Sequence, residues 1–494
     1  MIYNRRQLIK LLSHATVAGA CYPLLAGCTT DFRAPRASAD FAALADRFNG
    51  TVLLPASKNY DSSRRTFSFN PRTDRRPAAI AACKNEFDVA TAVEFARANE
   101  LEIAVRSGGH DVLAASTCND GLLIDLAELN SIQLDANRAL AITGPGASAG
   151  MLDRAMADRG RMLALGCNPQ VGVAGLTLGG GLGWFAGSLG ATCDNLQRVR
   201  VVTADGRIVT ASETENPDLL WALRGGGGNF GIVVELGLVA HPLDTVTGGY
   251  LCFDGGKLPE FLRFYRDYMA AAPDSLDVEV AVMAPSRRLI VVMTSVLGDA
   301  DKARQVLAPL RAFDKPLADG LRTVPYPGVV APTNEVSQLF RPDSNSADEP
   351  NDAPGIQWLG GSLGELDDAT IATIVEQVER ARGGWAFNVG HHMHGAVCRT
   401  PAADSPLPRP RGTFTYHFAT WWGSAASAPA RMAWVDGAVD AMRKHETAAY
   451  VNYLSTDHPA AVERAYGANY ARLQDIKRQY DPDNIFHRNR NIEP

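Results

Sequence analysis

Apolar positions along the chain keep two rhythms, one of period two and one close to 3.6, and their order predicts the elements. Residues 41–49 read as a short helix. Thr66-Phe67-Ser68-Phe69-Asn70 alternates and predicts a strand, and Ile80-Ala81-Ala82-Cys83 predicts another. Asn85-Glu86-Phe87-Asp88 opens a helix with Val89, Ala92, Val93 and Ala96 at helical spacing. Ile103-Ala104-Val105 then completes a βαβ unit. Strands follow at 122–126 and 139–143, and Ser148 can cap a helix over 149–159. Residues 198–210 read as a strand–turn–strand hairpin about Asp205-Gly206. Asn216-Pro217-Asp218 starts a helix over 219–223, and a strand runs over 232–241.

The pattern changes after Pro242. Strands at 276–283 and 289–295 alternate with helices at 299–312 and 367–382, and 385–398 and 413–422 read as two further strands. Residues 333–354 are polar and rich in Pro, Asp and Asn, which predicts a loop. The tail is helical over 432–445 and 460–480, with the aromatic Tyr450-Val451-Asn452-Tyr453 between them. The fold class is α+β, and no internal repeat appears.

Three glycine-rich stretches interrupt these elements. The first is Val105-Arg106-Ser107-Gly108-Gly109-His110-Asp111, where the glycines let backbone N–H groups approach a bulky ligand. Arg106 adds a fixed charge suited to a phosphate, and His110 adds a nucleophilic ring nitrogen. The second, 166–184, holds seven glycines in its first eighteen residues, so propensity argues for turns rather than a helix. The third is Arg224-Gly225-Gly226-Gly227-Gly228-Asn229-Phe230-Gly231.

Hydrophobic content of 46% against 21% charged residues predicts a packed core rather than disorder. A net charge of −6 without a long basic run excludes nucleic acid as a partner. The first residues follow another logic. Asn4-Arg5-Arg6-Gln7-Leu8-Ile9-Lys10 is a twin-arginine pattern, and 11–26 is too short and too polar for a spanning helix. Leu25-Ala26-Gly27-Cys28 resembles a bacterial lipoprotein cleavage box with Cys28 lipidated. The expectation is an exported bacterial protein, periplasmic or membrane-anchored, with a signal at 1–28 and a tether at 29–45. The eight cysteines show no CxxC and no zinc spacing.

The glycine stretches resemble the berberine bridge enzyme-like branch of the vanillyl-alcohol-oxidase superfamily, whose FAD-binding domain is of the PCMH type. Arg106-Ser107-Gly108-Gly109-His110, the run from Gly172 to Gly181, Cys193-Asp194-Asn195-Leu196, the run from Leu223 to Gly231, and Tyr450-Val451-Asn452-Tyr453 match in order. The resemblance implies an FAD-binding domain of two subdomains at 46–241, an α+β substrate domain with an antiparallel sheet at 242–440, and a segment at 441–494 returning to the FAD domain. It implies FAD bonded covalently through His110 to the flavin 8α-methyl. Against the cofactor it places Arg106, Ser107, Gly108, Gly109, His110 and Asp111 from the first stretch. From the second it places Cys167, Asn168, Val171, Gly172, Gly175, Leu176, Thr177, Gly180 and Gly181. Asn229, Gly231, Ile232 and Asn452 complete the set.

Many members carry a second link, from a cysteine four residues before the glycine matched by Gly172. Here that slot is Asn168, and Cys167 stands one residue early. Either the loop bulges to present Cys167, or the flavin is linked through His110 alone; the single link is favoured, because a one-residue slip turns a side chain the other way.

The implied activity is an FAD-linked oxidase. Tyr453 would take a proton as general base, with Tyr450 and Asn452 beside it. A hydride would leave a C–H next to O or N of a small organic or carbohydrate substrate for flavin N5. O2 is the implied acceptor, giving H2O2, and Val171 matches a position where valine favours oxygen access. The alternatives are a flavin dehydrogenase with a periplasmic acceptor, or a non-catalytic flavin-containing lipoprotein. A phenol needs a nearby cation or the electron-poor flavin before it accepts a proton near neutrality. His391-His392-Met393-His394 raises a metal reading, but no carboxylate lies close in sequence, and no metal is expected.

Overall fold

The computed structural model describes residues 39–283, 288–327, 354–381 and 385–494. The signal, residues 29–38 of the tether and the 333–354 loop up to residue 353 lie outside them. No helix of the described residues is long and apolar enough to cross a membrane.

The βαβ expectation holds. Strands Ala79–Ala82, Leu122–Asp125 and Ile103–Arg106 run parallel, with Thr51–Leu53 antiparallel at the edge. Helix Glu86–Ala98 crosses between them, its first turn capped by Asn85, which accepts from the Asp88 N–H at 2.9 Å. It buries Val89, Ala92, Val93 and Ala96. A second sheet of five antiparallel strands centres on Ile232–Val239, flanked by Leu140–Thr143 and Leu196–Val202.

Beyond residue 244 lies a nine-stranded sheet, antiparallel wherever its named strands pair. Strand alternation divides its residues between two faces. Val278, Val280 and Val282 of Leu276–Met283 join the cluster formed with helices Leu258–Ala270 and Asp368–Glu379. Ala281 and Met283 turn the other way and pack with Cys167, Trp184 and Phe185 of the second glycine stretch. The strand therefore presents Asp277 and Glu279 towards that stretch. In strand Trp385–His392 a register shift between Val389 and His392 breaks the alternation.

Several elements depart from expectation. Residues 66–70 form no strand, because Thr73 and Asn70 side chains bond the local backbone groups that a ladder would use. Residues Val173–Leu178 form a short helix, since the run between Gly172 and Gly179 contains one glycine only. The strand begun at Trp385 stops at His392 and gives way to a 3₁₀ turn over Gly395–Cys398. The tail helix divides at Gly467, where φ is +53°, into Pro459–Tyr466 and Tyr470–Tyr480.

Candidate functional site

The first two glycine stretches meet backbone to backbone. A Cβ on Gly108 would overlap the Gly172 nitrogen and Cα, and one on Gly172 would overlap those of Gly108. Only glycine permits this approach, and it fixes the His110 turn against the start of helix Val173–Leu178. Ser107 donates to the Pro145 carbonyl at 2.6 Å. Asp111 accepts from the Leu113, Ala115 and Ser116 N–H groups and from the Ser116 hydroxyl, closing the loop behind His110. The His110 ring stacks on Phe67 with centroids 4.5 Å apart and planes 15° apart. Burial holds its pKa below the ordinary imidazole value, so the ring is neutral and nucleophilic at pH 7.

The phosphate role expected of Arg106 is not what the geometry shows. Its guanidinium is buried and pairs with both Asp125 oxygens, at 2.6 and 3.3 Å, and bonds the Arg65 carbonyl. Asp125 is the parallel-strand neighbour of Arg106, so the pair locks the small sheet. Any cradle at this turn is therefore built by backbone groups.

In the second stretch the Asn168 side chain accepts from the Gln170 N–H at 2.9 Å. The Val171 carbonyl accepts from Ala149, and Thr177 Oγ1 donates to the Val173 carbonyl. Gly175 is exposed with open space where a Cβ would be, and Leu176 is half-buried beside it. Gly180 and Gly181, with φ of +117° and +84°, hold the turn that receives Tyr450. The Tyr450 hydroxyl accepts from the Gly181 N–H at 2.8 Å and from Asn452 Nδ2 at 3.1 Å. Asn452 Nδ2 also reaches the Leu176 carbonyl at 3.2 Å. Burial pushes the Tyr450 phenol up to about 12. Tyr450 thus clamps the tail to the glycine run.

Asn229 also reaches the tail. Its amide donates to the Gly226 and Arg490 carbonyls and its oxygen accepts from the Ile492 N–H. Both side-chain donors are thereby used. Gly231 and Ile232 are buried against the five-stranded sheet. Lys477 finishes the clamp, donating to the Asn229 carbonyl at 2.8 Å and pairing with Asp481 at 2.6 Å, both side chains fully buried.

Tyr453 is half-buried and stands edge-on to His417, ring centroids 4.0 Å apart. A row of rings runs from there through Trp358 and Phe67 to His110, at steps of 5.2, 6.2 and 4.5 Å. Both His417 ring nitrogens are buried without a partner, and burial pushes its pKa down to about 3. Beside Phe67 opens a cleft of about 430 Å³ walled by Phe69, Ile356, Trp421 and Trp422. Burial, with Glu279, Tyr450 and Cys167 nearby, raises the Tyr453 phenol well above its ordinary value. No cation is among the groups acting on it, so the condition for a tyrosine base is unmet by the side chains.

Residues 77–212 match the family described as an FAD binding domain, and 449–493 match the family described as berberine and berberine like. (R)-6-hydroxynicotine oxidase of Paenarthrobacter nicotinovorans is 30% identical over 90% of this chain and 97% of its own length. The chain belongs to the berberine bridge enzyme-like family of FAD-linked oxidases. An uncharacterized FAD-linked oxidoreductase of Bacillus subtilis, YvdP, is 27% identical over 91% of this chain and 99% of its own. Among solved structures, 6-hydroxy-D-nicotine oxidase from Arthrobacter nicotinovorans superposes with a TM-score of 0.81 at 26% identity, covering 90% of this chain and 98% of that one. A chitooligosaccharide oxidase superposes at 0.75 and 25% identity, covering 92% and 99%.

The site fits the family's cofactor. The neutral His110 ring lies at the mouth of two touching glycine turns, and Thr66 and Ser68, on either side of Phe67, each keep a buried hydroxyl without a partner. Cys167 Sγ lies within 4.8 Å of a donor atom of Glu279 and of one of His391. Motif reading missed His417 and Glu279, and it named His391 without the carboxylate that meets it. A signal was present for Glu279, since Asp277 and Glu279 are acids at alternate positions of an otherwise apolar strand.

Proposed function

We propose that this FAD-linked oxidase carries its cofactor on His110 through a single covalent bond and oxidises a C–H next to N or O of a small amine or carbohydrate. When bound, the flavin takes up the hydride at N5 and passes electrons to O2. The ring row from His110 to Tyr453 carries this reading: it joins the proposed flavin attachment point to the Tyr450–Tyr453 segment of the tail. Tyr453, protonated at neutral pH, donates a hydrogen bond to the substrate heteroatom, and His417 offers unpartnered ring nitrogens beside it. The names of the relatives support both substrate classes, nicotine derivatives on one side and oligosaccharides on the other. Val171 supports O2 as acceptor. Export by the twin-arginine leader, with a lipid on Cys28, belongs to the same proposal.

The test is to precipitate the protein in acid and map flavin-bearing peptides. Yellow colour should stay with the His110 peptide and leave it in His110→Ala. Anaerobic mixing with a panel of cyclic amines and oligosaccharides should bleach the flavin, and air should restore it with H2O2. A colourless pellet from wild type, or flavin on the Cys167 peptide, defeats the single-link reading. Tyr453→Phe should lower kcat/KM by roughly 10-fold, the scale of a lost hydrogen bond to the substrate.

A further inference from the structure

We propose that Cys167, Glu279 and His391 bind one divalent transition-metal ion of borderline softness, zinc being the ion that suits the set. The three residues come from the second glycine stretch, strand Leu276–Met283 and strand Trp385–His392. One donor atom from each lies within 4.8 Å of the others. His391 Nε2 and Glu279 Oε1 are 3.2 Å apart. Two ligands on a tetrahedral ion with bonds of about 2.0–2.2 Å are separated by roughly 3.3 Å, so this edge is already at ligand spacing. Thiolate, imidazole and carboxylate together select zinc over magnesium or calcium, which prefer oxygen alone. Three protein ligands leave the fourth position open.

The charge balance points the same way. The groups acting on Cys167 are Glu279, Asp277 and Asp153, all acids, with no lysine or arginine among them. Asp153 and Asp277 each keep a buried oxygen without a partner. On the remaining sides lie the Tyr326 and Tyr453 phenols, which bring no positive charge. A metal ion held by Cys167, Glu279 and His391 would supply positive charge beside these acids.

Two features hold the donors in place. Strand alternation puts Glu279 on the face opposite Val278 and Val280, and the register shift after Val389 lets His391 meet it. The His391 N–H is fixed by Thr415 Oγ1 at 2.9 Å. Of the neighbouring histidines, His394 is spent on the His392 and Leu276 carbonyls, at 3.0 and 2.9 Å, and His392 packs on Phe414. The metal therefore draws on one histidine of the cluster. The carboxylate that the linear sequence lacked arrives from a strand more than a hundred residues away.

The test uses the purified flavin-loaded protein. Elemental analysis after dialysis should find about one zinc per chain. Chelator-stripped protein titrated with zinc chloride alone should rise in unfolding temperature, as any native-state ligand requires. Glu279→Gln, His391→Gln and Cys167→Ser should each weaken zinc binding by at least the roughly 10- to 100-fold that loss of an outer-shell partner costs. Cys398→Ser, outside the cluster, should keep it. The proposal is overturned if folded wild type holds no metal and zinc leaves its unfolding unchanged. It is equally overturned if the Cys167 sulfur is found bonded to flavin. The wild-type measurement decides even if every variant misfolds. Yellow protein without zinc defeats the metal site alone, and zinc-loaded colourless protein defeats the flavin linkage alone.

Discussion

Replacing Tyr450 with phenylalanine separates a structural hydroxyl from a catalytic one. The change removes a single oxygen and keeps the ring, which packs against Gly180 and Leu407. That oxygen accepts from the Gly181 N–H at 2.8 Å and from Asn452 Nδ2 at 3.1 Å. The Gly181 N–H is buried, so losing its acceptor leaves an orphaned donor that costs about 1–3 kcal/mol. Asn452 is half-buried and keeps its bond to the Leu176 carbonyl, so its loss is smaller, about 0.5–1.5 kcal/mol. The expected destabilisation is about 1.5–4.5 kcal/mol. Urea unfolding of the flavin-loaded protein should show a lower midpoint with an unchanged slope. In steady-state kinetics kcat/KM should fall by a similar factor at every pH, with no ionisation lost from the profile. The phenol is pushed up to about 12 by burial, so it holds its proton through the working range and has none to accept. A variant within about 0.5 kcal/mol of wild type that loses roughly 100-fold or more in turnover, with an altered pH profile, would refute this and return Tyr450 to acid–base chemistry.

Two further outcomes follow from buried charge. Lys477→Met strands the Asp481 carboxylate in a site of 0% exposure and should cost about 3–5 kcal/mol in thermal or urea unfolding, whereas Lys477→Met with Asp481→Asn should recover part of it; a single variant as stable as wild type would show that the pair does not hold the tail. Asp153, which accepts from the Tyr326 hydroxyl deep in the core, has its pKa raised by burial from 3.8 to about 7. The folded state then binds more protons than the unfolded state between those values. Wild-type stability relative to Asp153→Asn should be greatest below 3.8 and fall as pH rises to about 7. A pH-independent difference between the two proteins would contradict the raised pKa.

Local signals were legible wherever the partner of a residue lies nearby in sequence. The βαβ unit, the hairpin about Asp205-Gly206 and strand Leu276–Met283 follow from periodicity and turn chemistry, because short-range spacing dictates them. The glycine stretches announced close backbone contact, and the Gly108–Gly172 approach is of that kind. Other pairings lie beyond any local window. Arg106 meets Asp125 only through parallel pairing. The partners of Asn229, Arg490 and Ile492, lie at the far end of the chain. The Arg409 guanidinium grips Asp194 and the Cys193 sulfur. Each pairing is created by the fold, and no window of sequence contains both halves.

That same distinction decides how Tyr453 must be viewed. Motif order alone makes it a base, and a phenol becomes a base only where positive charge surrounds it. The fold surrounds it with Glu279 and Cys167 on one side and a neutral His417 on the other, and its pKa rises instead. At neutral pH it is a donor that can orient a substrate heteroatom. Proton removal then needs a positive partner brought to the site, whether by the oxidised cofactor above the ring row, by a cationic substrate facing Glu279, or by an ion among the acids around Cys167. All three act on the same buried negative cluster, so the charge of whatever occupies it sets the chemistry open to Tyr453.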